Sequence, residues 1–253
     1  MYGLKVISKL AQRKYRQEYG CFLVEGKRGV EDAILAGAKI TDIVISRSFQ
    51  KQTDANITGL LRPFFDKRLV QTVGDESFSK LADTPSPQGV LAIVEMPQTS
   101  QQDFEQATTV VVLEDVRDPG NMGAMIRTAD WFGVDGIVLL GGADPFQPKV
   151  VRASMGSLFH VPVVTVHAVP QVAALKDAGF SLVVTRPEVH VSGLSKALPT
   201  NKTAIVFGNE ARGTSAEMDK LADASFTIPK YGNAESLNVA VSFGIVLYQL
   251  CLR

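Results

Sequence analysis

The amino-acid sequence predicts an α/β protein with a parallel-sheet domain in its second half and a smaller α/β domain in front of it. Short runs rich in β-branched residues recur after position 108 at helix-length intervals, which is the pattern of a parallel sheet. The composition, 45% hydrophobic and 21% charged, is that of a globular chain. At 253 residues the chain also exceeds the usual size of one domain. That length fits either two domains or one large α/β domain, and the polar stretch described below favours two.

The first domain begins with apolar residues at helical spacing. They predict one amphipathic helix over residues 1–19, with the apolar stripe Leu4, Ile7, Leu10 and Ala11. Four short apolar runs follow, separated by helical or polar segments, and they predict strands at residues 21–24, 43–46, 69–73 and 89–95. This alternation indicates a compact domain built around a sheet.

A polar stretch with one Phe and one Pro, MPQTSQQDFEQA at 96–107, has the composition of an exposed connection. It predicts a first domain at 1–97, a linker at 98–107 and a second domain at 108–253. The strands predicted for the second domain are residues 108–113, 136–140, 161–166, 182–185 and 204–207. A packed helix is predicted at 237–252, and 143–157 is expected to be a long loop whose second half is equally compatible with a helix.

Charge is distributed unevenly along the chain. The net charge is zero, with 26 basic and 26 acidic residues, which argues against a protein that coats nucleic acid nonspecifically. Within residues 1–30, however, seven cations stand against two anions: Lys5, Lys9, Arg13, Lys14, Arg16, Lys27 and Arg28. Such a cluster either faces phosphate or forms a solvated helix face, and charge alone leaves both interpretations open.

Several classes of site lack a sequence signal. Cys21 and Cys251 lie far apart without CxxC spacing, and His160, His167 and His190 show no ligand spacing, so no metal is expected. Neither GxGxxG nor GxxxxGK[ST] occurs, which disfavours a standard dinucleotide or NTP site. The chain has no signal-peptide pattern and no apolar run near the roughly 18 residues that a membrane helix needs, so we expect a soluble, cytoplasmic protein.

Three polar, glycine-bearing stretches follow predicted strands, where open α/β sheets place their ligands. They are DPGNMGAMIR at 118–127, FGNEARGTS at 207–215 and IPKYGNAESLN at 228–238. Glycines let a backbone approach a ligand closely, and polar side chains fix its orientation. Each stretch taken singly is also compatible with a turn followed by a helix cap.

In order and spacing, these stretches resemble the three motifs of the SpoU (TrmH-like) RNA 2′-O-ribose methyltransferases. The residues that carry the resemblance are Asn121, Gly123 and Arg127 in the first motif; Gly208, Asn209, Glu210 and Gly213 in the second; and Ile228, Pro229, Gly232, Ser236, Leu237, Asn238 and Val239 in the third. Upstream, YRQEYGCFLVEGKRGVEDAI is similar to the opening of the family's L30e-like substrate-binding domain. Lys230 and Ala211 depart from the family's usual Met and Gly.

The resemblance implies a methyltransferase domain with a deep trefoil knot of the SPOUT type, and S-adenosyl-L-methionine as cofactor. It places Gly208, Ile228 and Leu237 against the cofactor through backbone groups, beside Asn209, Pro229 and Gly232. The residues that it assigns to catalysis are Arg127, Glu210, Asn238, Asn121 and Ser236. Arg152, in a string that resembles the family's intermediate loop, and the cations Lys9, Arg13, Lys14, Arg16, Lys27 and Arg28 are expected to contact RNA.

The resemblance also implies a homodimer and an RNA substrate. Ribosomal RNA is favoured over transfer RNA, because the accessory domain resembles a ribosomal-protein fold. Arg127 is expected to clamp a phosphate or the developing alkoxide, since guanidinium is effectively always protonated and makes a poor base. The alternatives are a tRNA ribose methyltransferase, a catalytically silent RNA-binding homologue, a small-molecule methyltransferase and a structural ribosome-associated protein.

Overall fold

The computed structural model of the protein describes residues 2–52, 55–186 and 202–251. It divides into two compact units, of which the first contains Met1–Gln98 and Asp144–His160 and the second contains Thr99–Ala143 and Val161–Arg253. The predicted second domain was continuous from residue 108, whereas residues 144–160 pack within the first unit. Within the described residues, no helix is both long and apolar enough to cross a bilayer.

The first unit is built around a mixed sheet. Its helices are α1 Leu4–Lys9, α2 Arg13–Tyr19, α3 Lys27–Leu35, α4 Arg47–Gln50, α5 Ala55–Asp66, α6 Asp75–Ser79 and, from the later segment, α8 Pro148–Ala153. Its strands are β1 Cys21–Glu25, β2 Ile40–Ser46, β3 Val70–Val73 and β4 Val90–Glu95. They lie in the order β1-β4-β2-β3, with β4 antiparallel to both neighbours and β3 parallel to β2. The predicted strands are confirmed, with shifts of up to three residues at their ends.

Strand β1 explains why residues 144–160 belong to the first unit. Its residues 21–24 are apolar without alternation and buried on both faces, although β1 is an edge strand. Cys21 and Leu23 join the core cluster of Ile7 and Leu10 on one face. On the other, the Phe22 ring lies 5.0 Å from that of Phe146. The later segment therefore covers a face that would otherwise expose a large aromatic side chain.

The single helix predicted for residues 1–19 is wrong, because the chain breaks between α1 and α2. Arg16 explains the break: its side chain is 3% exposed, and its NH1 group donates to the carbonyl oxygens of Leu10 at 2.8 Å and Ala11 at 2.7 Å. These carbonyl groups stand at the end of a helix, where they lack an intrahelical donor. A buried arginine thus supplies the hydrogen bonds that the backbone carbonyl groups of the turn would otherwise lack.

The second unit contains a parallel sheet. Its strands are β5 Thr109–Glu114, β6 Gly136–Leu140, β7 Val163–Val166, β8 Ser181–Thr185, β9 Thr203–Phe207 and β10 Ala224–Phe226. They lie in the order β10-β8-β9-β5-β6-β7, and every described pair is parallel. The helices are α7 Pro119–Trp131, α9 Val169–Asp177, α10 Ala216–Leu221 and α11 Val239–Cys251. Five of these strands were predicted, whereas β10, with three residues, was too short to show a pattern.

Phe104 lies inside the stretch interpreted as an exposed linker. Gln101–Phe104 forms a short 3-10 helix, and the Phe104 side chain is buried in the core cluster of the second sheet. A Cβ atom added at Gly136 would lie 2.1 Å from the Phe104 ring, so the first residue of β6 has to be glycine for the ring to fit. The second part of this stretch is therefore anchored to the core of the second unit.

Candidate active site

The polar stretches meet at one edge of the second sheet. Strands β5 and β9 are parallel neighbours, with Leu113 paired with Phe207. The residues that follow these strands consequently leave the sheet side by side, at the carboxyl ends where open α/β sheets bind ligands. A partly buried contact joins the two ends, because the Glu114 carboxylate accepts a hydrogen bond at 3.0 Å from the backbone amide of Ser215.

Asn121 links the three motifs. The Asp118 carboxylate accepts from the Asn121 backbone amide at 2.8 Å, which caps α7 and fixes the position of Asn121 in its first turn. The Asn121 side-chain amide then donates to Glu210 Oε1 at 3.2 Å, and the Asn238 amide donates to Asn121 Oδ1 at 3.1 Å. Asn238 Oδ1 in turn accepts from the backbone amide of Ala240 at the start of α11. One residue from each motif thus joins a single hydrogen-bonded chain.

The second motif forms a tight loop after β9. Asn209 and Gly213 exchange backbone hydrogen bonds of 3.0 and 2.9 Å. This closure brings Gly208 against the returning chain, so that an added Cβ atom would lie 2.1 Å from the Gly213 carbonyl carbon. Backbone atoms leave no room for a side chain at Gly208, and glycine is required there for the loop to close.

Asp115, which the sequence interpretation missed, anchors this loop to the end of β5. Its backbone has φ of 54°, an unusual left-handed conformation for a residue other than glycine. Its carboxylate accepts from Arg117 Nε at 2.8 Å and from the NH2 group of Arg212 at 3.0 Å, while its carbonyl oxygen accepts from Asn209 Nδ2 at 2.9 Å. The Arg117 guanidinium holds the pKa of the Asp115 carboxyl below its usual range. A polar residue directly after a buried strand was the signal available in the sequence.

A cleft of about 850 Å³ lies between the loops. Its lining includes most of the predicted cofactor and catalytic residues: Gly208, Asn209, Glu210, Ile228, Pro229, Gly232, Ser236 and Leu237. Val239 and Val246 add apolar surface, while Thr185 and Arg186 were not anticipated from the sequence. The lining mixes apolar and polar groups in similar measure, and polar groups that converge on a concave site can fix the orientation of a small organic ligand.

Arg127 does not line this cleft. It lies on α7, six residues after Asn121, with its side chain exposed, and it is not among the residues that line the cleft. Among the described residues no group of three His, Cys, Asp or Glu side chains is placed to hold a metal ion. His190 lies outside the described residues.

The predicted RNA-contacting cations of the first unit fall into two groups. Lys9, Arg13, Lys14 and Arg28 are exposed, and Lys27 is half-buried. Arg16 is buried, and its NH2 group forms an ion pair with Asp144 at 2.6 Å. Arg152 is 29% exposed and pairs with Asp83 at 2.6 Å, with Glu25 3.7 Å away. Arg16 is buried, so its donors serve the first unit and not RNA, whereas Arg152 is partly exposed and its contact with RNA stays a prediction.

Two family models match the chain. The SpoU rRNA Methylase family matches residues 108–248, and the MRM3-like substrate binding domain matches residues 3–92. The first match covers the three motifs, and the second covers the sheet of the first unit.

Curated and solved relatives extend over nearly the whole chain. The 23S rRNA (guanosine(2553)-2'-O)-methyltransferase RlmP of Bacillus subtilis is 33% identical over 96% of this chain and 93% of its own. The AdoMet-bound rRNA methyltransferase of Sinorhizobium meliloti superposes with a TM-score of 0.84 at 32% identity, covering 97% of this chain and 92% of that one. The SpoU methyltransferase AviRb of Streptomyces viridochromogenes, in complex with AdoMet, gives 0.85 at 29% identity, over 98% and 96%.

Proposed function

Because the chain belongs to the SpoU rRNA Methylase family, we propose that it transfers the methyl group of S-adenosylmethionine to a ribose 2′-hydroxyl of ribosomal RNA. The observation that carries the proposal is the hydrogen-bonded chain of Asn121, Glu210 and Asn238, because it joins one residue of each family motif at the rim of a ligand-sized cleft. The first RNA to test is 23S ribosomal RNA, the substrate in the name of the Bacillus subtilis relative.

The cleft fits the cofactor. Its volume of about 850 Å³ lies within the range of about 300–1,000 Å³ that is usual for small-molecule sites. Ile228 and Leu237 offer apolar surface for a nucleobase, and Gly208 lets backbone groups come close to the ligand. When bound, S-adenosylmethionine supplies an electrophilic methyl group. The protein residues then have to hold it, orient the ribose and exclude water.

Positioning accounts for most of the catalysis that we propose. The ribose oxygen must approach the methyl carbon opposite the leaving sulfur, and a correctly oriented pair of reactants lowers the barrier without further chemistry. Asn121, Glu210, Ser236 and Asn238 orient the loops and the ribose in this proposal. Arg127, exposed on α7, binds a phosphate or the oxygen that becomes negative as its proton leaves. Its permanent charge suits a clamp better than a base.

The first unit is proposed to bind the RNA, as the match to a substrate binding domain supports. The Nζ atoms of Lys9 and Lys14 lie 5.0 and 5.8 Å from the centre of the Tyr15 ring, so two cations and an aromatic ring share one surface. Such surfaces suit a nucleic-acid backbone with unstacked bases. Arg13, Lys27 and Arg28 complete the proposed set. A cytoplasmic location is part of the proposal, because the substrate RNA is there.

We also propose the trefoil knot and the homodimer. Strand β9 lies between β8 and β5, and the third motif returns to the same edge before α11 packs against α7, an arrangement that is compatible with a knot. Val241, Ile245 and Tyr248 form an exposed apolar stripe on α11. A second copy of the chain is the occupant that we propose for this stripe, because symmetric pairing would bury it.

The decisive experiment measures transfer of labelled methyl from S-adenosylmethionine to unmodified 23S rRNA and to total tRNA, followed by mapping of alkali-resistant ribose positions. We expect label in 23S rRNA, and an Arg127→Ala loss of at least about 100-fold in rate with cofactor affinity retained, as expected for a group that acts on the transition state. Label in tRNA alone would identify a tRNA enzyme. Cofactor binding without any labelled RNA would indicate a silent homologue or a small-molecule acceptor.

A glycine pair tests where the cofactor binds. Gly208→Ala places a methyl group against backbone atoms, whereas Gly74→Ala, in the first unit and outside the cleft, meets no atom within 4 Å. We expect Gly208→Ala to weaken S-adenosylmethionine binding by about tenfold or more, which corresponds to about 1.4 kcal/mol. Gly74→Ala serves as the control and should stay within about threefold in calorimetric titrations. Equal effects at the two positions would contradict the proposed role of the loop.

The dimer is tested by light scattering coupled to size exclusion. Val241→Glu combined with Tyr248→Glu places charge in the proposed interface, and we expect a monomer. Leu35→Glu changes an exposed apolar residue on α3 of the first unit and should leave the dimer intact. A monomeric wild-type protein would exclude the proposed assembly.

A further inference from the structure

Two arginines at the rim of the site have no role in the function proposed so far. Arg117 follows β5, Arg212 lies in the loop after β9, and the two donate to different oxygens of the Asp115 carboxylate. Their side chains remain 66% and 68% exposed, so each guanidinium keeps most of its surface open to solvent while one of its nitrogens is held. Arg212 also lines the cleft.

Stability does not account for this arrangement. Exposed ion pairs contribute little to folding, and the cluster places Asp115 in a backbone conformation that costs energy for a residue other than glycine. Residues with an unfavourable backbone conformation are often found at functional sites, such as the edge of a cleft. The carboxylate restrains both arginines, so that binding an anion requires less further ordering of their side chains.

The cluster offers free N–H donors to an anion. The two oxygens of Asp115 already accept from Arg117, Arg212 and Asn209. The Glu210 carboxylate also acts electrostatically on Arg117, so the remaining donors of the two guanidinium groups, and not a net positive charge, carry the argument. The forked donors of arginine match the oxygens of a phosphate. Asn209 connects the cluster with Glu210, its neighbour in sequence, which contacts Asn121 at 3.2 Å. An anion bound here lies beside the residues that the family resemblance assigns to catalysis.

We propose that Arg117 and Arg212, held by Asp115, bind the RNA phosphate that adjoins the methylated ribose. The inference rests on the proposed function, because the 2′-hydroxyl can reach the cleft only if the attached backbone phosphates lie at its rim. The second unit then has its own phosphate site, which fixes the position of the target nucleotide relative to the cofactor. Phosphate contacts position a nucleic acid without reading its sequence.

The test uses Arg117→Gln combined with Arg212→Gln in the full-length protein and an unmodified 23S rRNA transcript as the probe. RNA affinity is measured by filter binding over a salt series. We expect the slope of log affinity against log salt to become less steep by about one unit per lost phosphate contact. Transfer at subsaturating RNA should fall by about tenfold or more. It is measured at saturating S-adenosylmethionine, because Arg212 also lines the cofactor cleft.

The matched control is Lys176→Gln combined with Lys220→Gln, which removes the same charge from the same unit; Lys176 is also paired with a carboxylate, that of Asp223. This control should leave the slope unchanged. Arg117→Lys combined with Arg212→Lys keeps the charge but loses the fork, and should retain the slope while transfer falls. An unchanged slope in the double Gln variant overturns the inference, whatever its activity. Absence of labelled RNA with wild-type protein would instead overturn the proposed function, because RNA binding is measured separately.

Discussion

Two arginine–carboxylate clusters, one in each unit, differ in burial. In the first unit Arg16 is 3% exposed and pairs with Asp144, which is 14% exposed. In the second, Arg117 and Arg212 are 66% and 68% exposed around Asp115. The N–H donors of a buried guanidinium bond to groups within the protein, whereas an exposed guanidinium has donors left that a ligand can bind. Residue type and ion pairing are the same in the two places, and burial sets how many donors each arginine has left for a ligand.

The difference in burial also predicts how much stability the protein loses when one partner of each ion pair is removed. Loss of one partner in a buried pair leaves an uncompensated charge in a medium of low polarity, whereas water replaces the partner of an exposed charge. Mutation of the buried contacts should therefore destabilise the first unit, whereas mutation of the exposed contacts should lower methyl transfer by the second. Three measurements test this contrast.

The largest effect on folding is expected for Arg16→Met. Asp144 would lose its partner, and the carbonyl groups of Leu10 and Ala11 would lose their donor. We expect a loss of about 3–5 kcal/mol in the unfolding free energy of the first unit, measured by hydrogen exchange of its sheet amides. Arg13→Met on the same helix is exposed and should change it by no more than about 0.5 kcal/mol. Similar changes in unfolding free energy for the two variants would contradict the structural role of the buried arginine.

An intermediate effect is expected for Arg152→Met. Arg152 is partly buried, and its loss leaves Glu25, whose side chain is 7% exposed, without its nearby cation. The cost should be about 1–3 kcal/mol, the usual penalty for a buried polar group that loses a partner. Because Arg152 fastens α8 to the first unit, limited proteolysis should cut within residues 144–160 faster than in wild type. Lys149→Met, exposed on the same helix, is the control, and equal cleavage in both variants would contradict this role.

The smallest effect on folding is expected for Asp115→Asn, at no more than about 1 kcal/mol, because the pairs are exposed. The folded-state pKa of Asp115 is lowered, so its contribution is complete above the unfolded pKa of about 3.9 and is lost as pH falls through the folded value. Wild type and variant should differ equally at pH 7 and pH 5 in urea unfolding, and the gap should close at more acidic pH. A gap that widens on acidification would refute this sign. Methyl transfer should fall although stability hardly changes.

Much of the sheet architecture was predictable, for a local reason. Runs such as residues 136–140 are apolar and β-branched because both faces of a parallel strand are buried, and the pattern remains visible without knowledge of the partners. The family motifs likewise marked Asn121, Glu210 and Asn238 before any distance was known. The predicted helix over residues 1–19 failed because its break depends on Arg16, whose burial is not a local property.

The sequence by itself determined the α/β class, most of the strands, the family and the residue types of the site, because these depend on local pattern and motif spacing. The tertiary structure alone decided that residues 144–160 complete the first unit, that Arg16 is buried and Arg152 pairs with Asp83, and that Asp115 holds Arg117 and Arg212. The physical reason is that burial and the direction of a hydrogen bond are set by residues far away in the chain. The residue type of a charged side chain is the same in a buried and in an exposed position, and its neighbours in space determine whether the charge stabilises the fold or is available to a ligand.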